Sequence, residues 1–168
     1  MSADQLETFS IETYRLHSWW SFIANTFRYE GENTKVGHWV VFCNIKGVIY
    51  FFDPLGGTDE ELLPHRTAEI KNLLQKFEQN GIEVRYVVRD GTLQSPGSGY
   101  CGEYCIYFIR EITVAVCQER EENACEFLYQ FLRSMDFQRR DKFVCEYVEN
   151  ISPVAARICK ERDSRGVL

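Results

Sequence analysis

The chain has 168 residues, of which 45% are hydrophobic and 14% are aromatic. This composition excludes an intrinsically disordered protein, and the length predicts one domain, residues 1–168, that is large enough to bury a core. The formal net charge of −6 disfavours broad, non-specific binding of nucleic acid.

The seven cysteines are scattered, mostly among apolar neighbours, and include no Cys-x-x-Cys pair. An odd, scattered set of cysteines indicates reduced thiols and an intracellular, reducing compartment rather than a disulfide framework. Because the chain has only three histidines, we expect no structural metal site. The sequence shows neither a signal peptide nor an apolar run of membrane-spanning length, so we expect no association with a membrane.

The hydrophobic pattern predicts an α+β protein with a central mixed or antiparallel sheet and flanking helices. Apolar residues at helical spacing predict helices in six segments: residues 5–29, 59–80, 101–109, 124–132, 139–150 and a short segment after Pro153. Runs of β-branched and aromatic residues predict three strands: residues 38–43, 48–53 and 82–88. Residues 112–117 suit either a continuation of the helix from Cys101 or a further strand.

The first two predicted strands flank a four-residue turn, Asn44 to Gly47, and form a β-hairpin. If Asn44 faces Gly47 across the turn, His38 lies directly opposite Asp53, with Cβ atoms about 5 Å apart on the same face. A carboxylate beside an imidazole fixes its tautomer and stabilises the imidazolium, as a general base requires. The alternative is a strand-end salt bridge, and a register one residue off would place the two side chains on opposite faces.

A glycine-rich loop that includes Gln94 leads to Cys101, the first residue of a predicted apolar helix. The helix dipole and the free N–H groups of the first turn favour a thiolate at this position. The same N–H groups can stabilise an oxyanion, and Gln94, seven residues upstream, is a candidate side-chain donor. The alternative is a buried structural cysteine behind an ordinary loop.

Residues 97–102 also match the Gly-x-Gly-x-x-Gly pattern of dinucleotide-binding proteins. In those proteins the turn follows the strand directly, whereas about eight residues intervene here. No strand that ends in an acidic residue follows about 20 residues later. We therefore disfavour a dinucleotide site.

Four short motifs occur in a distinctive order: Gly-His-Trp at 37–39, Phe-Asp-Pro-Leu-Gly at 52–56, Gln94, and Gly-Tyr-Cys-Gly at 99–102. This order resembles the adenain family of adenovirus-type maturation proteases, within the clan of cysteine peptidases that includes the SUMO-specific proteases. The segment at 23–26 also resembles a family motif upstream of the histidine. The resemblance covers roughly residues 23–110.

The resemblance implies that Cys101 is the nucleophile, that His38 is the base and that Asp53 orients His38. It also implies an oxyanion hole formed by Gln94 and the backbone N–H of Cys101. The buried helix that begins at Cys101 then packs against the sheet that carries His and Asp. We expect the substrate-binding residues to be Trp39, Gly99 and Tyr100, with Trp39 forming a wall of the groove.

The implied function is that of a cysteine endopeptidase that cleaves after small, glycine-type residues, because a narrow groove admits a residue without a Cβ atom. The implied partners are polypeptide substrates with glycine-containing cleavage sites. For a viral protein the implied process is precursor processing in virion maturation, in the host nucleus or the virion. Two alternatives stay open: removal of a ubiquitin-like modifier by the same chemistry, and a non-catalytic binding module of the same fold.

The resemblance also implies activation by a disulfide-held peptide and by DNA. Glu83 stands at the position that corresponds to the peptide-linking cysteine, and the acidic net charge weakens the expectation of a DNA cofactor. The residues themselves require no cofactor. The expectation of an activating peptide or nucleic acid thus rests on the resemblance alone, and the sequence departs from the family at these two points.

Overall fold

The structure is a computed structural model of the chain, and it describes residues 1, 5–6, 9–11, 19–25, 37–56 and 68–152. Within these ranges, four strands form one sheet in the order β1-β2-β3-β4: β1 Trp19–Asn25, β2 Trp39–Ile45, β3 Val48–Phe52 and β4 Val84–Tyr86. The same ranges contain four helices: α1 Ala68–Gln79, α2 Cys101–Cys117, α3 Ala124–Arg133 and α4 Phe137–Ile151. The prediction of an α+β protein is confirmed.

The sheet is mixed, because β1, β2 and β3 pair antiparallel whereas β4 pairs parallel to β3. Strand β2 is buried on both faces. Val41 and Cys43 belong to the core that contains α2, and Val40 and Phe42 belong to the core that contains α1. Helices on both faces explain why β2 is a nearly continuous apolar run rather than an alternating one.

Each of the two core helices buries one stripe of side chains. In α1 the buried apolar residues recur at intervals of three and four: Ile70, Leu73, Leu74 and Phe77. In α2 the same spacing buries Cys101, Tyr104, Cys105, Phe108 and Ile112. The prediction of a buried helix at Cys101 is confirmed, although Ile106 and Val114 are 37% and 38% exposed. Tyr107, outside this stripe, packs on Phe143 and Tyr147 of α4, so α2 lies between the sheet and α4.

The prediction of a helix over residues 5–29 is wrong at β1, residues 19–25. Apolar side chains on both faces of β1 concealed the alternation of a strand. Trp19 and Ile23 contact the core on the α2 side, whereas Trp20 and Phe22 contact the core on the α1 side. The Phe22 ring stacks on Phe42 of β2 with centroids 5.1 Å apart, so cross-strand packing outweighs the helical spacing.

The hairpin of β2 and β3 forms as predicted, but its register differs by two residues. Val41 pairs with Phe52 rather than with Tyr50, because the two central residues of the turn are not Ile45 and Lys46 but Lys46 and Gly47. Both have positive φ, 50° and 89°, as a type I′ turn requires. A displacement of two residues keeps every side chain on its predicted face, whereas a displacement of one would reverse them.

The remaining predictions concern the second half of the chain. Residues 112–117 continue α2 and do not form a strand. The helices predicted over 124–132 and 139–150 are confirmed as α3 and α4, and the strand predicted over 82–88 is reduced to β4. The predicted start of the 59–80 helix and the segment after Pro153 lie outside the described residues. No helix in the described ranges is long and apolar enough to cross a membrane.

Candidate active site

His38 and Asp53 meet where the hairpin strands end, His38 directly before β2 and Asp53 directly after β3. The His38 Nε2 atom lies 2.7 Å from Asp53 Oδ1, within hydrogen-bond distance. If the observed register is continued, Asp53 aligns with Val40, so His38 is its diagonal neighbour. Diagonal neighbours on one face are close enough for a long aromatic side chain to bridge, and the imidazole therefore reaches the carboxylate.

The Asp53 carboxylate is held in a fixed position. Its Oδ1 atom also accepts a hydrogen bond from the Leu55 N–H group at 2.9 Å, and the Gly56 N–H group donates to the Asp53 carbonyl at 2.8 Å. The residue is 1% exposed. An aspartate that bonds the backbone two residues on forms a tight local turn, so the strand end itself orients the carboxylate toward His38.

Gly56 is the residue that allows this turn, and the sequence analysis did not single it out. Its φ is +75°, and a Cβ atom built there would lie 1.9 Å from the Gly91 carbonyl oxygen. Any side chain at this position would therefore collide with the backbone of the 90–91 turn. The glycine pair that follows Pro54 and Leu55 is the sequence feature that could have indicated this turn.

Cys101 lies on the other side of His38. The pKa of His38 is raised from 6.5 to about 9, although burial lowers it. Hydrogen bonds to Asp53 and Cys101, together with the negative charges of these two groups, outweigh the effect of burial. Because Asp53 occupies Nε2, the ring nitrogen left for Cys101 is Nδ1.

Helix α2 begins at Cys101, which is 6% exposed. Because Cys101 is the first residue of α2, it lies at the positive end of the helix dipole, and Tyr100 gives the first turn no side-chain cap. One turn into α2, the Cys105 thiol donates to the Trp39 carbonyl at 3.3 Å, beside His38. This contact fixes the start of α2 against the start of β2.

A second contact ties α2 to the strand that carries the acid. The Phe108 ring stacks on Phe52, the residue before Asp53, with centroids 4.3 Å apart and planes 4° apart. Both rings are almost fully buried. Stacked aromatic pairs add about 0.5–1.5 kcal/mol beyond the burial of their area, so this pair helps to set the distance between α2 and Asp53.

The loop of residues 92–100, here named the Gln94 loop, joins the site from a third direction. The backbone N–H groups of Leu93 and Gln94 both donate to the carbonyl of Pro54, the residue after Asp53, at 2.9 and 3.0 Å. The Gln94 side chain is 3% exposed, and its amide donates to the Ser98 carbonyl. An amide has two N–H donors, so this bond leaves one for another acceptor.

The three residues predicted to bind substrate lie around Cys101. Gly99 is exposed and Tyr100 is half-buried, and both immediately precede the thiol. Trp39 is half-buried and adjoins Gly102, where a Cβ atom would lie 3.7 Å from Trp39 Cδ1. The indole therefore borders the start of α2.

An imidazole in contact with both a carboxylate and a thiol is an arrangement suited to nucleophilic attack on a carbonyl group. The N–H groups at the start of a helix are suited to stabilise the resulting oxyanion. In the part of the chain that the structure describes, no group of three His, Cys, Asp or Glu residues could hold a metal ion. The groups brought together are those of acyl transfer to a thiol.

Comparison with known proteins bears on the same residues. The sequence model of a family described as adenovirus endoprotease matches residues 17–124. The matched range includes the whole sheet, α2 and the four residues predicted to act in catalysis. A search of curated proteins found no match to the chain.

Proposed function

The chain belongs to the adenovirus endoprotease family and is a cysteine protease of that type, and we propose that it is an endopeptidase that cleaves after small, glycine-type residues. We further propose that its substrates are viral precursor proteins processed during virion maturation. The observation that carries the proposal is the contact of His38 with both Asp53 and Cys101 at the start of α2. A binding module has no need of this arrangement.

In the proposed mechanism the Cys101 sulfur attacks the carbonyl carbon of the scissile peptide bond. His38 takes the thiol proton and passes it to the leaving amine as the C–N bond breaks, which leaves a thioester on Cys101. A water molecule, deprotonated by His38, then attacks the thioester and releases the carboxylate product. Asp53 orients the imidazole and stabilises its charged form throughout.

The negative oxygen of each tetrahedral intermediate requires donors. We assign this role to the backbone N–H of Cys101 and to the side-chain amide of Gln94. The support is that Gln94 is buried and lies in a loop bonded to the residue after Asp53. Loss of one such donor typically costs about 10²–10³ in kcat.

We assign substrate selection to Trp39, Gly99 and Tyr100. Trp39 is half-buried beside the start of α2, and Gly99 and Tyr100 are the two residues that lead into Cys101. An aromatic wall beside the thiol leaves little room for a side chain on the residue before the scissile bond, and glycine has none. Trp39→Ala should therefore relax the selectivity for glycine.

A matched set of peptides tests this function directly. The peptides differ only at the residue before the scissile bond, which is Gly, Ala or Val, and a fusion to a ubiquitin-like modifier is assayed beside them. Cleavage of the Gly peptide in preference to the Val peptide, with Cys101→Ala inactive, supports the proposal. Selective cleavage of the modifier fusion would instead assign a deconjugating protease, and turnover of none of them would refute the activity.

We propose that any activating peptide acts without a disulfide at the β4 edge. Glu83, at the position expected for a linking cysteine, is exposed, and its Oε1 accepts from Arg85 Nε at 2.6 Å. A carboxylate cannot form a disulfide. The peptide assay with and without reductant, and with and without added DNA, tests this, because loss of activity on reduction would contradict the proposal.

A further inference from the structure

Two buried charged residues lie in α4, outside the range that the family model matches. Arg140 and Asp141 are 6% and 7% exposed. Asp136 caps the start of α4 by accepting from the Arg139 N–H group at 2.9 Å, which fixes the first turn of the helix. Buried charges are unfavourable unless they are hydrogen-bonded, so the contacts of this pair indicate what it holds in place.

The Asp141 carboxylate joins two parts of the site. Its Oδ2 atom accepts from the Ser95 hydroxyl at 2.5 Å, and its Oδ1 atom accepts from the Tyr104 hydroxyl at 2.6 Å. Ser95 is the residue after Gln94, and Tyr104 lies three residues after Cys101 in α2. One carboxylate thus connects the loop that carries Gln94 to the helix that begins at the thiol.

The Tyr104 hydroxyl keeps its proton and acts as a donor. Its side chain is fully buried, and burial, followed by the adjacent Asp141, raises its pKa. The hydroxyl lies 2.6 Å from Asp141 and 3.1 Å from the Leu93 carbonyl, and a single proton goes to the shorter contact.

Arg140 holds the start of the same loop. Its Nη1 atom donates to the Leu93 carbonyl at 2.6 Å and, more weakly, to the Thr92 carbonyl at 3.4 Å. Its Nε atom donates to the Leu132 carbonyl at 2.6 Å, near the end of α3. The guanidinium therefore joins α3 to the residue before Gln94, and the two charged neighbours secure the loop on both sides of the glutamine.

We propose that Asp141 is a positioning residue that fixes the oxyanion donor Gln94 relative to the nucleophile Cys101, by binding Ser95 and Tyr104 at the same time. This inference rests on the proposed function of those two residues. Displacement of a catalytic group by about 1 Å can cost on the order of 10²-fold in rate. Loss of the Ser95 hydroxyl leaves the Tyr104–Asp141 bond intact, so it should lower kcat by about ten-fold, less than the loss of Gln94 itself.

The kinetic test is a double-mutant cycle. We expect Ser95→Ala to lower kcat with KM unchanged, and Ser95→Thr, which retains the hydroxyl, to restore most of the activity. In a Gln94→Ala background, Ser95→Ala should cause no further loss, because the donor that it positions is already absent. An equal loss in both backgrounds would overturn the proposal. Ser134→Ala is the control, since its exposed hydroxyl bonds only the Phe131 carbonyl of the preceding helix.

A second measurement does not depend on turnover. Hydrogen exchange of the Leu93 and Gln94 amides, which donate to the Pro54 carbonyl, reports the order of the loop directly. We expect these amides to exchange faster in Ser95→Ala than in the unmodified chain and Ser134→Ala. Unchanged exchange would overturn the positioning role. If the unmodified chain cleaves no peptide, the proposed function fails, and the exchange data still decide whether Asp141 orders the loop.

Discussion

Replacing Asp53 by asparagine removes the negative charge beside His38 while it keeps the shape of the side chain. The variant also keeps an oxygen that can accept from the Leu55 N–H group, so the turn after β3 should survive. The pKa of His38 is raised from 6.5 to about 9 although burial lowers it. The hydrogen bonds and charges of Asp53 and Cys101 therefore supply the whole increase.

The rise in the pKa of His38 from 6.5 to about 9 corresponds to roughly 3 kcal/mol of preference for the imidazolium. Asp53 contributes more than Cys101, through both its hydrogen bond and its charge. We therefore expect Asp53→Asn to lower the pKa of His38 by about 1–2. In the proposed mechanism the imidazolium protonates the leaving amine. We therefore expect kcat/KM to fall as the pH rises through this pKa, and the alkaline limb to move to lower pH in the variant.

The assay is the pH dependence of kcat/KM on a Gly peptide, together with NMR titration of the His38 ring. The control is Asp90→Asn, because the Asp90 side chain is 83% exposed and its contact with Arg133 is a long one, 3.9 Å. The reasoning is refuted if Asp53→Asn and the unmodified chain give the same alkaline limb and the same NMR pKa for His38. Asp53 would then not determine the charge of His38.

The same pKa links folding to pH. His38 binds its proton more tightly in the folded chain, so this stabilisation is complete below about pH 6.5 and is lost as the pH rises through about 9. The corresponding loss in the free energy of unfolding is up to roughly 3 kcal/mol. Urea unfolding on either side of this range should show the loss in the unmodified chain and a smaller one in Asp53→Asn. An equal loss of unfolding free energy with rising pH in both proteins would contradict this prediction.

Three further predictions use matched variants. Alkylation with iodoacetamide, followed by peptide mass spectrometry, should show label on Cys101 and none on the fully buried Cys105. In the cleavage assay, Cys101→Ala should abolish activity, whereas Cys105→Ala should retain most of it. Gln94→Ala should lower kcat by about 10²–10³; a loss of only a few-fold would remove Gln94 from the mechanism. Gly56→Ala should lower the free energy of unfolding by at least about 2 kcal/mol more than Gly47→Ala, because both have positive φ but only Gly56 faces a backbone oxygen; similar urea midpoints would contradict this.

The hairpin could be predicted from the sequence because neighbouring residues determine it. Two apolar runs around Lys46 and Gly47 allow few pairings, and the face of each side chain depends only on whether the register is displaced by an even or an odd number of residues. The actual displacement of two residues therefore still brings His38 to Asp53. The strand β1 could not be predicted in this way, because aromatic packing on both faces of the sheet determines it.

The placement of Gln94 depends on residues that no local pattern connects to it. Its loop is bonded to Pro54, 40 residues before Gln94, and, through Ser95, to Asp141, which is 46 residues after Ser95. Spacing alone indicated that Gln94 precedes Cys101, but nothing in the spacing indicated what orders the loop between them. That information lies in the tertiary structure.

These contacts indicate that the charge of His38 and the position of Gln94 depend on different parts of the structure. His38, Asp53 and Cys101 lie at the start of β2, the end of β3 and the start of α2, so contacts among these three elements set the charge of His38. Gln94 is held by α4 as well, because Asp141 accepts from Ser95 and Arg140 donates to the Leu93 carbonyl. Loss of the Ser95–Asp141 hydrogen bond should therefore impair the proposed stabilisation of the oxyanion while it leaves the alkylation of Cys101 intact. Separate measurement of alkylation and turnover thus distinguishes damage to the nucleophile from damage to its oxyanion hole.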